Sequence, residues 1–201
     1  TGNILGAALP MLVAQILSLL YNIVDRIYIA RIPSVGTTAL GAVGLCFPII
    51  VIITAFSNLF GSGGAPLFSI NRGKGNIKKA EAIMNTSFSM LCICGVALMV
   101  IGMLFASPIL VLFGASEEGL SYAYPYMMIY LIGTVPSMIA TGMNPFINAQ
   151  GYATSGMLSV TIGAVANLIL DPLFIFGLNL GIKGAAIATI ISQTLSAAYV
   201  F

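Results

Sequence analysis

Residues 119–170 read GLSYAYPYMMIYLIGTVPSMIATGMNPFINAQGYATSGMLSVTIGAVANLIL, a run of 52 residues without one Asp, Glu, Lys or Arg. A helix crosses hydrocarbon with ~20 apolar residues, so this run is too long for one span and must hold two. Asn148-Ala149-Gln150-Gly151-Tyr152 supplies the polar, glycine-containing turn between them. Working outward, charge-free stretches at 1–24, 32–71, 82–116 and 184–201 measure 24, 40, 35 and 18 residues. Five stretches therefore yield six membrane helices, expected near 4–30, 39–70, 79–107, 119–144, 154–177 and 183–201. Ile32-Pro33-Ser34-Val35-Gly36, Arg72-Gly73-Lys74-Gly75-Asn76, residues 108–118 and Gly177-Leu178-Asn179-Leu180-Gly181 punctuate the rest. The composition agrees, because 59% of the 201 residues are hydrophobic, against ~45–50% in soluble chains.

The expected fold class is thus an all-α integral membrane protein, a single six-helix unit over 1–201. Six spans of ~20 residues with loops of about 10 leave almost nothing for a soluble catalytic, nucleotide-hydrolysing or nucleic-acid-binding domain. A net charge of +2 is too small to imply a nucleic-acid partner. With no histidine, the commonest general base and transition-metal ligand are missing. Cys46, Cys92 and Cys94 sit in apolar stretches, and Cys92-x-Cys94 lacks the CxxC spacing of a redox or zinc site, so inert buried thiols are expected. Neither an enzyme nor a cofactor is expected. The first segment is too long for a signal-peptide core and has no basic residues before it, so it reads as a span. Thr1 at the start and an apolar, uncapped end at Ala198-Tyr199-Val200-Phe201 lead to the expectation of a fragment.

Orientation follows from Arg72, Lys74, Lys78 and Lys79, four of seven basic residues in one loop. Basic loops stay on the cytoplasmic side, which puts both chain ends inside and the protein in the plasma (inner) membrane. The Gly73–Gly75 run lacks the spacing of a phosphate loop.

Polar side chains in a membrane helix need a partner or water, so their spacing shows which face looks inward. Gln15, Ser18, Asn22 and Asp25 form one stripe on the first span. Thr134, Ser137, Thr141, Asn144 and Asn148 form one on the fourth, and Thr189, Ser192, Gln193 and Ser196 one on the sixth. The second span has a weaker version in Thr54, Ser57, Asn58, Gly61 and Ser62, running into Gly63-Gly64-Ala65-Pro66, where a break is expected. The third is almost purely apolar after Ser89 and is expected to face lipid. The stripes describe either a shared polar cavity or the small and polar residues that join membrane helices.

Asp25 and Asp171 are the strongest signals, since a charge at the centre of a membrane helix costs about 2.5–3.5 kcal/mol even on a lenient scale. Tyr21, one turn before Asp25, can offer it a hydroxyl; Arg26 is ~100° away around the helix and is expected to reach for the interface. Asn167 lies one turn beneath Asp171, and Pro172 frees the carbonyl of Leu168 to meet a cation or water. Carboxylates, an amide and hydroxyls are hard oxygen ligands suited to a monovalent or alkaline-earth cation, and a proton is the other natural occupant. The alternative is a pair of protonated acids that holds the first and fifth spans together.

Leu9-Pro10-Met11, Leu20-Tyr21-Asn22-Ile23-Val24-Asp25, Ala42-Val43-Gly44 with Phe47-Pro48, Gly61-Ser62-Gly63-Gly64-Ala65-Pro66 and Asn167-Leu168-Ile169-Leu170-Asp171-Pro172-Leu173-Phe174 together resemble the MATE family, the multidrug and toxic compound extrusion transporters. The likeness runs through the whole chain and corresponds to the amino-terminal lobe of a twelve-helix, two-lobed protein. It implies an antiporter that expels lipophilic, often cationic compounds in exchange for Na⁺ or H⁺, with a second six-helix lobe as partner. It implies a cation site at Asp25, Asn167, Asp171 and Thr189. Tyr21, Gln15, Ser18, Asn22, Thr141, Asn144, Ser192 and Gln193 then support the substrate cavity. The expected mechanism is alternating access, in which ion binding at the two acids changes the bend of the first helix, near Pro10 or its outer end. A lipid-linked oligosaccharide flippase and an intramembrane aspartyl protease are the alternatives; the first wants more basic residues than Arg26, and the second lacks its GxGD pattern here.

Overall fold

A computed structural model describes the backbone of residues 2–33 and 35–200 and the side chains of residues 6, 8–33 and 35–200. Thr1, Ser34 of the first break and Phe201 of the sixth expected span lie outside the described residues. The chain runs as α1 (Gly2–Ala30), α2 (Gly36–Gly73), α3 (Ile77–Leu112), α4 (Glu117–Ile132), α5 (Thr134–Ala149), α6 (Ala153–Pro172), a π-helical turn (Leu173–Gly177) and α7 (Ile182–Val200). Four stretches, Ala8–Ala30, Gly36–Gly73, Ile77–Leu112 and Ala153–Gly177, are long and apolar enough to cross a bilayer, and the bent α4 and α5 pair makes a fifth. The sixth expected span is α7, a 19-residue helix whose Lys183, Gln193 and hydroxyl residues lower its hydropathy.

Caps explain why α2 and α3 overrun the apolar pattern. Gly75 (φ 77°) turns left-handed after α2. Its N–H donates to Arg72 O and that of Asn76 to Asn71 O, at 3.0 and 2.9 Å, which closes the helix end. Asn76 then starts α3 by accepting from Lys79 N at 3.2 Å. Gly151 (φ 94°) turns the chain in the same way after α5, at the divide expected within the 52-residue run.

Two expectations are corrected. The fourth span is not one straight helix over 119–144: α4 and α5 meet at Gly133 with a bend of 57°. Pro136 has no N–H for the carbonyl of Ile132, and Gly133 seats against Ile190, whose Cγ1 would stand 2.7 Å from an added Cβ. Conversely, α2 runs unbroken through Gly63-Gly64-Ala65-Pro66. Pro66 removes a single bond, and the glycines there are contact surfaces. Gly61 lies against the backbone of Gly142 on α5, and Gly64 against Ser87 of α3 and Phe146 of α5.

α2 packs between α3 and α5, α1 lies chiefly on α6, and α7 packs on α6 and α5. The buried residues of α3, Ala80, Ser87, Leu91, Gly95, Gly102, Ala106 and Leu110, make a single stripe. Its remaining surface, including Ile93, Leu104 and Leu112, points outward as expected. Between α6 and α7, Ser196 Oγ donates to Ser159 O at 2.9 Å while the two hydroxyls lie 3.0 Å apart. Hydrogen bonds of this kind between membrane helices average ~0.6 kcal/mol and reach ~1.7 kcal/mol. Ser196→Ala is therefore expected to lower unfolding stability in detergent by about 1 kcal/mol, measured by thermal denaturation; no change would show that the pair contributes nothing.

Candidate functional site

The stripes converge. An open-sided cavity of about 720 Å³ is lined by α1, α2, α4, α5, α6 and α7, with no contribution from α3 among the described residues. Gln15, Ser18, Tyr21, Asn22 and Asp25 line it from α1; Ser137, Thr141, Asn144 and Asn148 from α5; Thr189, Ser192, Gln193 and Ser196 from α7. Thr134 falls out of its stripe, because the bend at Gly133 buries it completely. On α2, Thr54, Asn58 and Ser62 face the cavity, whereas Ser57 is buried with its hydroxyl on Ile53 O at 2.9 Å and Gly61 turns to α5.

Asp25 and Asp171 occupy the carboxyl ends of α1 and α6, two neighbouring helices. Their carboxyl groups are close enough to interact with each other. Asp25 reaches the cavity wall together with Asn167 and Thr189, while Asp171 lies behind it with no exposed surface. Asn167 Nδ2 donates to Asp171 Oδ1 at 3.2 Å, as the one-turn spacing requires. Thr189 donates its hydroxyl to Ala185 O at 2.9 Å, which leaves the oxygen's lone pairs available as an acceptor. Oδ1 of Asp25, Oδ2 of Asp171 and Oγ of Ser192 are buried and receive no hydrogen bond from a protein donor, the two carboxyl groups facing each other as acceptors. Such acceptors are costly to leave unmet, so they mark a place for a positively charged or proton-donating occupant.

Two details differ from expectation. Tyr21 lines the cavity with Ser18, Asn22 and Gln193 of α7 as neighbours of its hydroxyl as well as Asp25, so it does not serve Asp25 alone. Leu168 is not among the cavity-lining residues, and the amide after Pro172 donates instead to Leu170 O, so the carbonyl freed by Pro172 adds nothing to the cavity wall. Arg26 also departs from a simple run to the interface: its guanidinium lies over the Phe47 ring of α2, 5.6 Å from the centroid, and lines the cavity.

Sequence reasoning missed an aromatic wall. Tyr126 and Tyr130 of α4 are stacked at 6.1 Å, with planes 19° apart, and both line the cavity near Asp25. Their i, i+4 spacing in an apolar helix looks like ordinary core packing, and only the bend of α4 against α5 turns it inward. The polar floor was legible as a stripe but not as a network: Asn144 Nδ2 donates to Gly156 O at 2.8 Å, and Asn148 Nδ2 to Asn144 Oδ1 at 3.0 Å. No group of three or more His, Cys, Asp or Glu that could hold a metal ion occurs among the described residues.

Comparison with known proteins gives one consistent picture. The MatE family model matches residues 10–173. An FAD transporter of Shewanella oneidensis is 31% identical over 193 residues, covering 94% of this chain and 42% of the relative. The multidrug export protein MepA of Staphylococcus haemolyticus is 30% identical over 189 residues, covering 94% of this chain and 41% of the relative. The chain thus spans less than half the length of these relatives. Among solved structures, the outward-facing conformation of a multidrug resistance MATE family transporter of the MOP superfamily superposes with a TM-score of 0.91 at 26% identity, over 98% of this chain and 43% of the other. A MOP superfamily transporter from Pyrococcus furiosus superposes equally well, with a TM-score of 0.91 at 26% identity and the same coverage.

Proposed function

Since this chain belongs to the MatE family of membrane transporters, we propose that it forms the cation-coupled lobe of an exporter of lipophilic, cationic compounds. The membership removes the protease alternative, because the family consists of transporters. The observation that carries the coupling is the pair of facing carboxyl groups, Asp25 and Asp171, each with a buried oxygen that no protein donor meets, beside a cavity lined by tyrosines and amides. Na⁺ or H⁺ taken up there competes with a cationic substrate for the same negative charge. A second six-helix lobe, as in the longer relatives, closes the other side, and rocking of the lobes exposes the cavity to each face in turn. Both chain ends and the basic loop between α2 and α3 lie on the cytoplasmic side of the inner membrane.

A cationic dye such as ethidium, titrated against the chain in nanodiscs and followed by anisotropy, tests this. Saturable binding that Na⁺ or acid displaces, and that Asp25→Asn loses, is the expected result. Binding unaffected by Na⁺, by acid and by Asp25→Asn would sink it. A flippase for lipid-linked oligosaccharides is less well supported, since Arg26 is the only basic residue lining the cavity among the described residues. A second reading does have an observation behind it: Arg26 and the Tyr126–Tyr130 stack suit an anionic, planar compound, and one relative is named an FAD transporter. FAD added to the same titration separates the two, because displacement of ethidium by FAD favours the second.

A further inference from the structure

A separate groove of about 480 Å³ lies on the outside of the bundle between α2 and α3 and shares no residue with the central cavity. Leu59, Phe60 and Leu67 of α2 and Ile83 of α3 form its apolar walls, Gly63 leaves it room, and Lys79 stands at one end. Leu59 and Leu67 are 61% and 55% exposed, so this face meets lipid. Lys79 is in the first turn of α3 and Ser87, the polar liner farthest along that helix, is eight residues on, about 12 Å away. Leu59 lies fourteen residues before the end of α2, about 21 Å from it. The groove therefore runs from the basic loop well into the hydrocarbon.

Its two ends have different chemistry. The deep part offers only apolar contacts and two hydroxyls, Thr86 and Ser87. The mouth holds Lys79, the one charged residue lining the groove; Arg72, Lys74 and Lys78 are its neighbours in the chain, with a single carboxylate, Glu81, two residues beyond it. None of these basic side chains is ion-paired among the described residues. A phosphocholine headgroup brings its own cation to such a mouth; a headgroup with a net negative charge does not. We propose that this groove is a binding site for an anionic phospholipid, one acyl chain lying along Gly63 and the phosphate resting on Lys79. Recognition of this kind strengthens binding by about fivefold for each basic side chain that the headgroup meets.

The test uses the purified chain in detergent, titrated with dioleoyl phosphatidylglycerol or dioleoyl phosphatidylcholine, the bound lipid being counted by native mass spectrometry. One retained phosphatidylglycerol is expected, preferred over phosphatidylcholine, with the preference reduced about fivefold in Lys79→Gln. Gly63→Leu places a side chain where an added Cβ meets nothing within 4 Å, so it fills the groove without disturbing the bundle. It is expected to lose the lipid while keeping the wild-type melting temperature. Should Gly63→Leu lose stability, Lys79→Gln alone decides. Equal retention of the two lipids, or unchanged phosphatidylglycerol retention in Lys79→Gln or in a stable Gly63→Leu, would overturn the proposal. So would displacement of the adduct by millimolar inorganic phosphate, which would mark a site for the phosphate group alone.

Discussion

Asp171→Asn is expected to lower the affinity of the chain for Na⁺ by about 10–100-fold, the usual effect of losing a group that supports a metal site. Asp171 is wholly buried behind Asp25, with one oxygen held by Asn167 and the other meeting no protein donor. The asparagine keeps shape and volume but removes the charge, and its amide would present donors where a cation needs acceptors. Asp25→Asn should have the same effect from the cavity side. Asn167→Ala should weaken binding less, because it orients the carboxylate of Asp171 and carries no charge of its own. Sodium binding to the chain in nanodiscs, measured calorimetrically, tests all three, and lowering the pH should weaken wild-type binding as protons compete for the same oxygens. If wild type binds Na⁺ and Asp171→Asn binds it equally well, Asp171 serves only to join α1 and α6. Linkage adds a reciprocal demand: whatever factor Na⁺ imposes on dye affinity, the dye must impose on Na⁺.

Gly61→Leu is expected to cause the largest loss of stability. Gly61 of α2 rests directly on the backbone of Gly142 on α5, so an added side chain meets main-chain atoms that cannot rotate away. Gly142 is itself held from behind, with Leu91 of α3 2.6 Å from where its own Cβ would be. The crossing is further fixed by Phe68 and Phe146, packed edge to face at 5.7 Å. Forcing α2 and α5 apart costs about 3 kcal/mol, a fall in melting temperature of about 6–12 °C for a chain of this size. Gly63→Leu, two residues away and facing open space, is the matched control. Equal melting temperatures for the two variants would mean that the close approach at Gly61 is not what holds the helices together.

Much of this was legible in one dimension. Charge spacing located the helices, because each charge-free stretch is bounded by residues that hydrocarbon excludes. Periodicity located the cavity wall, since polar groups a turn apart share a face. Of the four residues that the resemblance implied for a cation site, Asp25, Asn167 and Thr189 line one cavity and Asp171 is buried beside Asp25. Local spacing was a poorer guide to individual bonds. Tyr21 lies one turn from Asp25, as its spacing suggests, but spacing gave no sign that Gln193 of another helix also approaches its hydroxyl. A glycine-rich run ending in proline reads as a break, yet in α2 the neighbours fill the space and the helix continues.

The amino-acid sequence by itself determined that the chain is a membrane bundle, which faces of its helices avoid lipid, and that two acids among them need a partner. These follow from hydration energies and helical period, which act residue by residue. The tertiary structure alone decided the bend at Gly133, the inward turn of the Tyr126–Tyr130 pair, the burial of Asp171 behind Asp25 and the groove that ends at Lys79. Each depends on how closely two backbones approach, and that distance is set by side chains far apart in the chain.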